Sequence, residues 1–242
     1  MSGERRPGVA AVIADLIGSR ELPDRAGAQG QVLSAWSTAH DQVLGTADPG
    51  SARAVAPWAT VGDEFQAVYP DLAAALRVLL RLQLALEEPV RLRFGIGLGT
   101  VTTLDQGADG PIQDGDAWWS ARAAIEAGHE RDAHGAVIEV RRADGAEAGP
   151  GGVDAAAARL LEHALGQLKP RERRIVRSTL DGRYQSAIAE DEGISQSAVS
   201  QSLSRSGGRV LIDVDGILAL RPGAADPDSA DADADAGTGE QP

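Results

Sequence analysis

The sequence contains no cysteine, few aromatic residues and no apolar run long enough to cross a bilayer. Without cysteine, disulfides and thiolate metal sites are excluded. Aromatic residues make up only 3% of the 242 residues, so the core must be built from Ala, Val, Leu and Ile. The first residues also lack the apolar segment and cleavage site of a secretory leader. We therefore expect a cytoplasmic protein that has no membrane partner.

Positive charge is also scarce, since the formal net charge is −13. This balance argues against nucleic-acid binding by the chain as a whole. The charge is unevenly distributed, however. Six acidic residues and no basic residue follow Arg221, and the Asp, Ala, Gly, Ser and Pro composition predicts a disordered acidic tail over residues 222–242. The segment from Lys169 to Arg209 contains eight basic and five acidic residues, so it is locally basic.

Residues 8–141 alternate between strand and helix patterns. Residues 9–17 are almost continuously apolar, which predicts a central strand. Residues 29–44 carry apolar residues at helical spacing. Two apolar segments flank Gly62-Asp63 and predict a hairpin, whose first strand is irregular or at a sheet edge because it contains Pro57. A second helix follows, with Asp71 as its N-cap. A strictly alternating strand at 90–99 completes a strand, helix, hairpin, helix, strand order, which predicts an α+β, ferredoxin-like (palm-type) sheet.

Glycine is concentrated on one face of that last strand. Gly95, Gly97 and Gly99 alternate with the apolar residues of the opposite face. A strand face without side chains indicates that something approaches the backbone closely. The pattern leaves open whether this is a helix or a ligand.

Two carboxylates stand out in the predicted sheet. Asp15 interrupts a buried strand, where an unpaired carboxylate costs several kcal/mol unless it is paired or bound to a metal. Asp63 either only makes the hairpin turn or presents its carboxylate at the sheet edge. The palm arrangement places the two side by side, where a Mg²⁺ ion bridging to phosphates resolves their repulsion. The turn Gly18-Ser19-Arg20 offers N–H groups and a cation that could cradle phosphate, although three residues are a weak signal.

The combination of these segments resembles two groups of proteins. Residues 14–19 (ADLIGS), 61–63 (VGD), 95–99 (GIGLG) and 121–122 (AR) resemble class III nucleotidyl cyclases and the related GGDEF and CRISPR-polymerase palms. The closer resemblance is to the SatD family of bacterial proteins, in residues 13–19 (IADLIGS), 62–67 (GDEFQA), 91–97 (RLRFGIG) and 114–122 (DGDAWWSAR). It spans roughly residues 9–220 and implies a fold and candidate sites rather than a settled reaction.

The resemblance to cyclases implies roles for individual residues. Asp15 and Asp63, with the adjacent Glu64, would hold Mg²⁺. Gly18, Ser19 and Arg20 would bind a nucleoside triphosphate. Arg122 would be catalytic, stabilising charge that develops during phosphoryl transfer.

The sequence departs from the cyclase pattern at two positions. The Asn that orients the ribose has no clear equivalent, because Trp118, Trp119 and Ser120 occupy that region. The predicted palm contains no lysine to select the purine. Nucleotide binding tolerates these losses more easily than catalysis does.

The C-terminal part predicts a second, small all-α domain. Residues 142–152 have a linker composition, and residues 153–221 carry helical patterns. Within them, Gly193 separates two short helices that resemble the helix-turn-helix of sigma-factor region four and of MarR-type regulators. The exposed positions of the second helix are polar, neutral or cationic, as base edges and phosphates require. The candidate DNA-binding residues are Ser195, Gln196, Ser197, Ser200, Gln201, Ser204, Arg205 and Arg209. The alternative is a structural helical hairpin, and the conformation of residues 210–220 is left open between helix and wing.

Three functions are compatible with these patterns. The first is a DNA-binding transcriptional regulator whose palm senses a Mg²⁺–nucleotide. The second is a Mg²⁺-dependent nucleotidyl cyclase or nucleotidyltransferase that carries a helix-turn-helix. The third is an inert palm that only dimerises. A homodimer is expected in each case, because class III cyclases build their site between two subunits and a dimer matches a palindromic operator. We rank the regulator first.

Overall fold

The structure is a computed structural model that describes residues 5–45, 54–60, 62–107, 110–132, 137–144 and 147–220. The predicted acidic tail at 222–242 lies outside these residues. Seven strands form one mixed sheet in the described part of the chain. They are β1 (Arg5–Leu16), β2 (Val55–Ala59), β3 (Glu64–Tyr69), β4 (Leu92–Gln106), β5 (Pro111–Asp114), β6 (Ile138–Asp144) and β7 (Glu147–Pro150).

The strand order is β2-β3-β1-β4-β6-β7, with β5 paired to β4. β1 lies antiparallel between β3 and β4, so the predicted neighbourhood of the first strand and the hairpin is confirmed. β4 and β6 are parallel. β2 is at the sheet edge, and its register shifts between Val55 and Trp58, as Pro57 predicts.

Helices cover both faces of this sheet. Their bounds are α1 (Arg25–Leu44), α2 (Leu72–Ala85), α3 (Asp116–Arg131), α4 (Val153–Gln167), α5 (Pro170–Leu180), α6 (Gln185–Glu192), α7 (Gln196–Arg205) and α8 (Gly208–Ala219). Alternate residues of β1 enter two cores. Ala10 and Val12 pack with α1 and α2, whereas Val9 and Ile13 pack with α3. The strand is apolar throughout because both of its faces are buried.

The glycine face of β4 is covered by α3. A Cβ atom built on Gly97 would lie 1.9 Å from the carbonyl oxygen of Ala117, and one on Gly95 would lie 2.4 Å from that of Ala121. The helix backbone therefore rests directly on the strand backbone. This settles the alternative that the sequence left open, because the close approach is made by a helix.

The C-terminal residues form a group of five helices, α4 to α8. The α6 helix ends at Gly193, whose φ of 64° is left-handed, and Ser195 caps α7 by accepting a hydrogen bond from the Ala198 N–H. Ile188, Val199 and Leu203 are buried between these helices. Residues 210–220, left open above, lie almost entirely in α8. Two short helices joined by a glycine turn are thus present, and their assignment as a DNA-binding helix-turn-helix stays a prediction.

Two expectations about domain organisation are wrong. The predicted linker at 142–152 contains the end of β6 and all of β7, which pair with each other, so the sheet does not end at 141. The C-terminal helices also share one hydrophobic core with the sheet rather than forming a separate domain. Glycine and proline suggested a linker here, but backbone pairing in a short edge hairpin depends little on side-chain composition.

A buried ion triad attaches the C-terminal helices to α2. The Asp215 carboxylate in α8 accepts hydrogen bonds from Arg77 at 3.2 Å and from Arg81 at 2.9 Å. The guanidinium of Arg81 also donates to the Leu180 carbonyl oxygen at 3.2 Å. Across the described part of the chain, no helix combines the length and apolar character needed to span a bilayer.

Candidate functional site

The two predicted carboxylates meet at one end of the central strands. Asp15 is near the end of β1, opposite Glu64 of β3 on one side and Arg93 of β4 on the other. The turn between β2 and β3 presents Asp63 beside it, and the Leu16 N–H donates to the Asp63 carbonyl oxygen at 3.2 Å. The strand order, rather than any local motif, brings these residues together.

Asp15 is a partly buried carboxylate with one neutralising neighbour. Its Oδ2 accepts a hydrogen bond from Arg93 Nη1 at 2.9 Å. Its Oδ1 is buried and has no hydrogen-bond partner among the described residues. Burial raises the pKa of Asp15 and the nearby Asp63 raises it further, whereas Arg93 and His129 lower it without cancelling the effect of burial. The ionised form of Asp15 is therefore under-compensated, and an additional cation would stabilise it.

Asp63 is held in place by the loop that follows β1. The Ser19 hydroxyl donates a short hydrogen bond to Asp63 Oδ2. Arg25, at the start of α1, lies 3.9 Å from the other carboxylate oxygen. Gln29 on the same helix donates to the Gly62 carbonyl oxygen at 2.5 Å. The hairpin tip is therefore fixed by α1, and the Asp63 carboxylate contacts residues outside its own turn.

Glu64 and Arg122, predicted as a metal ligand and a catalytic cation, bind each other. The two guanidinium nitrogens of Arg122 donate to the two oxygens of Glu64 at 2.6 and 2.9 Å, and Gln66 donates to Glu64 as well. This bidentate contact raises the pKa of Arg122. In this arrangement, Glu64 orients Arg122 and is less available to a metal than Asp15 or Asp63.

The turn predicted to bind phosphate lies directly beside the carboxylates. Gly18 has a φ of 64°, which favours glycine, and its carbonyl oxygen accepts a hydrogen bond from the Glu21 N–H at 2.8 Å. Ser19 is buried against Asp63, while the Arg20 side chain is exposed. Of the three, Ser19 is already engaged, and Arg20 is the cation at the surface.

Sequence reasoning missed Arg93 as a member of this site. Its side chain is only 3% exposed, and Nη1 lies 2.9 Å from Asp15 and 2.8 Å from Nδ1 of His129. The signal was present, because an arginine inside an alternating apolar strand must be paired when it is buried. The contribution of α1 through Arg25 and Gln29 had no comparable signal.

The two carboxylates fit a magnesium ion. Mg²⁺ is bound in proteins by one or two carboxylates and keeps several waters or phosphate oxygens as further ligands. Asp15 and Asp63 supply such a pair. The Oδ1 atom of Asp15, which has no hydrogen-bond partner among the described residues, is the oxygen available to a metal. Within the described ranges there is no group of three or more His, Cys, Asp or Glu residues placed to hold a metal.

The predicted DNA-binding residues lie together on α7 and at the start of α8. On α7 and its cap, six of the predicted residues are exposed, whereas Ser200 is half-buried. The exposed members are Ser195, Gln196, Ser197, Gln201, Ser204 and Arg205, and Arg209 is exposed nearby on α8. Ser195 is occupied as the cap of α7. Among the described residues, Arg205 and Arg209 form no salt bridge.

The locally basic segment is more neutral in the structure than its composition suggests. Arg174 makes a bidentate contact with Glu192 at 2.8 and 2.7 Å, and Arg183 pairs with Asp191. Arg177 is 3.9 Å from Asp181. The arginines of α5 are therefore largely engaged within the helical group, which weakens the charge argument for nucleic-acid binding.

A family model and several solved structures are similar to parts of this chain. A model described as the SatD family matches residues 9–214. Similar solved structures include a guanylyl cyclase domain of the RhoGC fusion protein from Blastocladiella emersonii, with 13% identity, a TM-score of 0.40, and coverage of 52% of this chain and 77% of that chain. The guanylyl cyclase Cya2 has 16% identity, a TM-score of 0.40, and coverage of 65% and 81%. The adenylyl cyclase CyaB from P. aeruginosa has 17% identity, a TM-score of 0.39, and coverage of 57% and 79%. A comparison with curated proteins gives no match.

Proposed function

The chain belongs to the SatD family, and we propose that it is a nucleotidyl cyclase-like protein that binds a magnesium–nucleoside triphosphate at the edge formed by Asp15 and Asp63. One observation carries the proposal. The Oδ1 atom of Asp15 is buried without a hydrogen-bond partner among the described residues, beside a second carboxylate. A buried anionic oxygen without a partner is costly, and a divalent cation removes that cost.

The other residues of the edge have defined tasks in this proposal. Asp15 and Asp63 hold the metal, which neutralises phosphate charge when it is bound. Ser19 positions Asp63 through its hydroxyl. Arg20 is exposed beside the carboxylates and attracts the phosphate anion. Arg122, oriented by Glu64, supplies a second cation at the same edge.

A melting experiment with the full chain tests the binding site. We expect Mg²⁺ with ATP or GTP to raise Tm, and EDTA to abolish the rise. Asp63→Asn should lose the response, whereas Asp105→Asn, an exposed aspartate on the distant part of β4, should keep it. An unchanged nucleotide response in Asp63→Asn means that the site is elsewhere.

Product analysis separates a nucleotide-binding protein from an enzyme. The nucleotides from the same incubation are examined by mass spectrometry. A cyclic nucleotide or another nucleotidyl product that forms together with pyrophosphate, and that is absent with Asp15→Asn, establishes a nucleotidyl cyclase or transferase. Stabilisation without product establishes binding alone, as in a sensor. A chain with neither response has a palm that acts through dimerisation only.

DNA contact by α7 is the second candidate function. The observation that favours it is a capped helix whose outward residues are polar and uncharged, followed by two arginines that form no salt bridge in the described part of the chain. Such a face suits base edges and phosphates. Together with the nucleotide site, it describes a regulator whose DNA affinity depends on nucleotide.

Selection from a random pool of double-stranded DNA, followed by binding measurements, tests this candidate. Gln196→Ala should reduce discrimination between the selected and scrambled sequences by about 1–3 kcal/mol. Arg205→Ala should weaken binding to the selected and the scrambled sequences alike. It should also lower the slope of log affinity against log salt concentration by about one. Gln167→Ala at the exposed end of α4 is the matched control. If no sequence is enriched, or if the α7 variants bind as the control does, α7 is a structural helix.

A further inference from the structure

The sheet face that carries Asp15 continues away from the carboxylates along β3 and β2. Residues that lie directly opposite each other in an antiparallel pair point to the same face. Asp15 is opposite Glu64. One row further into the sheet, Gln66 is opposite Ile13 on one side and Trp58 on the other. Alternate residues of a strand share a face and lie about 7 Å apart. Gln66 and Trp58 are therefore on the carboxylate face, one row from Glu64.

The α3 helix borders this part of the sheet. It packs mainly on β4, β6 and β1, and two side chains from one flank of the helix reach the β2–β3 hairpin. Arg122 contacts Glu64. Trp118, one turn earlier, contacts Trp58, and their ring centroids are 6.1 Å apart. We call Trp58, Gln66 and Trp118 the tryptophan shelf, which adjoins the carboxylate edge at the contact between Arg122 and Glu64.

Two contacts hold the Trp58 ring in a defined orientation. Trp58 and Trp118 meet edge to face, with an angle of 76° between the ring planes. A Cβ atom built on Gly110 would lie 2.6 Å from Trp58 Cδ1, so the backbone of the turn before β5 rests against the ring. Trp58 is nevertheless half-buried and belongs to neither hydrophobic core of the described structure. An indole that is fixed but lies outside the core provides a stacking surface for a flat ligand.

Gln66 places an amide beside this ring. Its Nε2 donates to Glu64 Oε1 at 3.0 Å. Because an ionised carboxylate only accepts hydrogen bonds, this contact fixes which end of the amide carries the nitrogen. Among the described residues, the Gln66 amide makes no other hydrogen bond. One acceptor and one N–H donor are left, and a side-chain amide with both groups pairs with the adjacent donor and acceptor of a purine edge.

We infer that the tryptophan shelf binds the purine base of the nucleotide whose phosphates and magnesium ion lie at Asp15 and Asp63. The inference rests on the proposed function and adds the class of base. One row of the sheet, about 7 Å, separates the shelf from the carboxylates and leaves room for the ribose between them. The base stacks on Trp58, and its edge pairs with the Gln66 amide. Purines are preferred because their bicyclic ring covers more of the indole than a pyrimidine does.

Calorimetric titration of the full chain in the presence of Mg²⁺ tests the inference. The probes are ATP, GTP, CTP, UTP and inorganic tripolyphosphate, which has the phosphates but no base. At least one purine nucleotide should bind about 5–150-fold more tightly than tripolyphosphate, the gain that corresponds to one stacked base. It should also bind more tightly than CTP and UTP.

The outcomes separate this inference from the proposed function. If purine nucleotides bind no better than tripolyphosphate, or no better than pyrimidine nucleotides, the inference is overturned and the magnesium–phosphate site stands. If none of the five compounds binds, the proposed function fails and the inference fails with it. These comparisons use the wild-type chain, so they hold whether or not a variant folds.

Variants assign the effect to the shelf. Trp58→Ala should lower the affinity for the preferred purine nucleotide to that for tripolyphosphate, and should leave tripolyphosphate binding unchanged. Trp58→Phe keeps a stacking ring and should retain most of the purine preference. Gln66→Leu should weaken only the nucleotide, by about 2–10-fold, as expected for one hydrogen bond. Trp119→Ala is the matched control, because Trp119 is 68% exposed on the same helix and makes none of these contacts. If Trp58→Ala folds and keeps the wild-type preference, the base does not bind here.

Discussion

Replacing Asp215 with asparagine should loosen the C-terminal helices from the palm. Asp215 is 6% exposed and is the only carboxylate that the described structure places against both Arg77 and Arg81. Asparagine keeps the shape of the side chain but leaves two guanidinium groups facing each other without an anion. Removing one partner of a buried ion pair costs about 3–5 kcal/mol. Because the side chains of Arg77 and Arg81 are 17% and 11% exposed, we expect the lower end, about 3 kcal/mol.

Urea denaturation and thermal melting measure this loss. For a chain of this size, a loss of about 3 kcal/mol lowers Tm by about 6–12 °C. Asp213→Asn is the matched control, because Asp213 lies on the same helix and is exposed. Hydrogen exchange should show faster exchange in α5 to α8 than in the central strands, since the docking contact is lost first.

A rescue variant distinguishes a buried charge from a general packing defect. Replacing the triad together, as Arg77→Met, Arg81→Leu and Asp215→Leu, should recover most of the lost stability, because a buried ion group can be exchanged for apolar side chains of similar volume. A loss below about 1 kcal/mol in Asp215→Asn, or one equal to that of Asp213→Asn, refutes the view that the triad holds the two parts together.

Three further predictions concern the palm. Gly97→Ala should destabilise the fold by about 3 kcal/mol or more in urea denaturation because its Cβ meets the Ala117 backbone, whereas Gly30→Ala, an open position in α1, should stabilise it by up to about 1 kcal/mol. Burial lowers the pKa of His40, so the fold should lose stability as the pH falls below about 6.5. The variant His40→Gln should lose less stability than the wild-type chain between pH 7 and pH 5. Equal profiles of stability against pH for the two chains contradict this. Burial raises the pKa of Asp15, so without metal the ionisation of Asp15 should weaken the fold as the pH rises above 3.8. The difference in Tm between Asp15→Asn and the wild-type chain should therefore grow in favour of the variant as the pH rises above 3.8. A difference that stays constant with pH contradicts this.

The sheet around the site was largely predictable from the sequence. The continuous apolar character of β1, the turn at Gly62-Asp63 and the alternation in β4 each indicate a local structure, and their order predicts the neighbours. The placement of Asp15 beside Asp63 follows from that order and is confirmed by the strand pairing. The glycine face of β4 correctly indicated a close approach, although only the structure shows that α3 makes it.

The relation between the two parts of the chain could not be predicted in the same way. Arg77 and Asp215 are 138 positions apart, and each resembles an ordinary surface residue in its own helix. Their contact depends on how two amphipathic helix faces are oriented in space, and local periodicity carries no information about that. A strand at 136–140 was predicted, but its continuation to Asp144 and the edge strand β7 were missed for a related reason, because strand pairing at an edge satisfies backbone groups without requiring an apolar pattern.

The edge formed by β2 limits how this sheet can grow. A free sheet edge offers unpaired N–H and C=O groups on which another chain can add a strand, which is the first step toward fibrils. Here Pro57 has no N–H group to offer, and the register shift between Val55 and Trp58 interrupts the straight edge. The hairpin that presents Asp63 therefore also ends the sheet on its side.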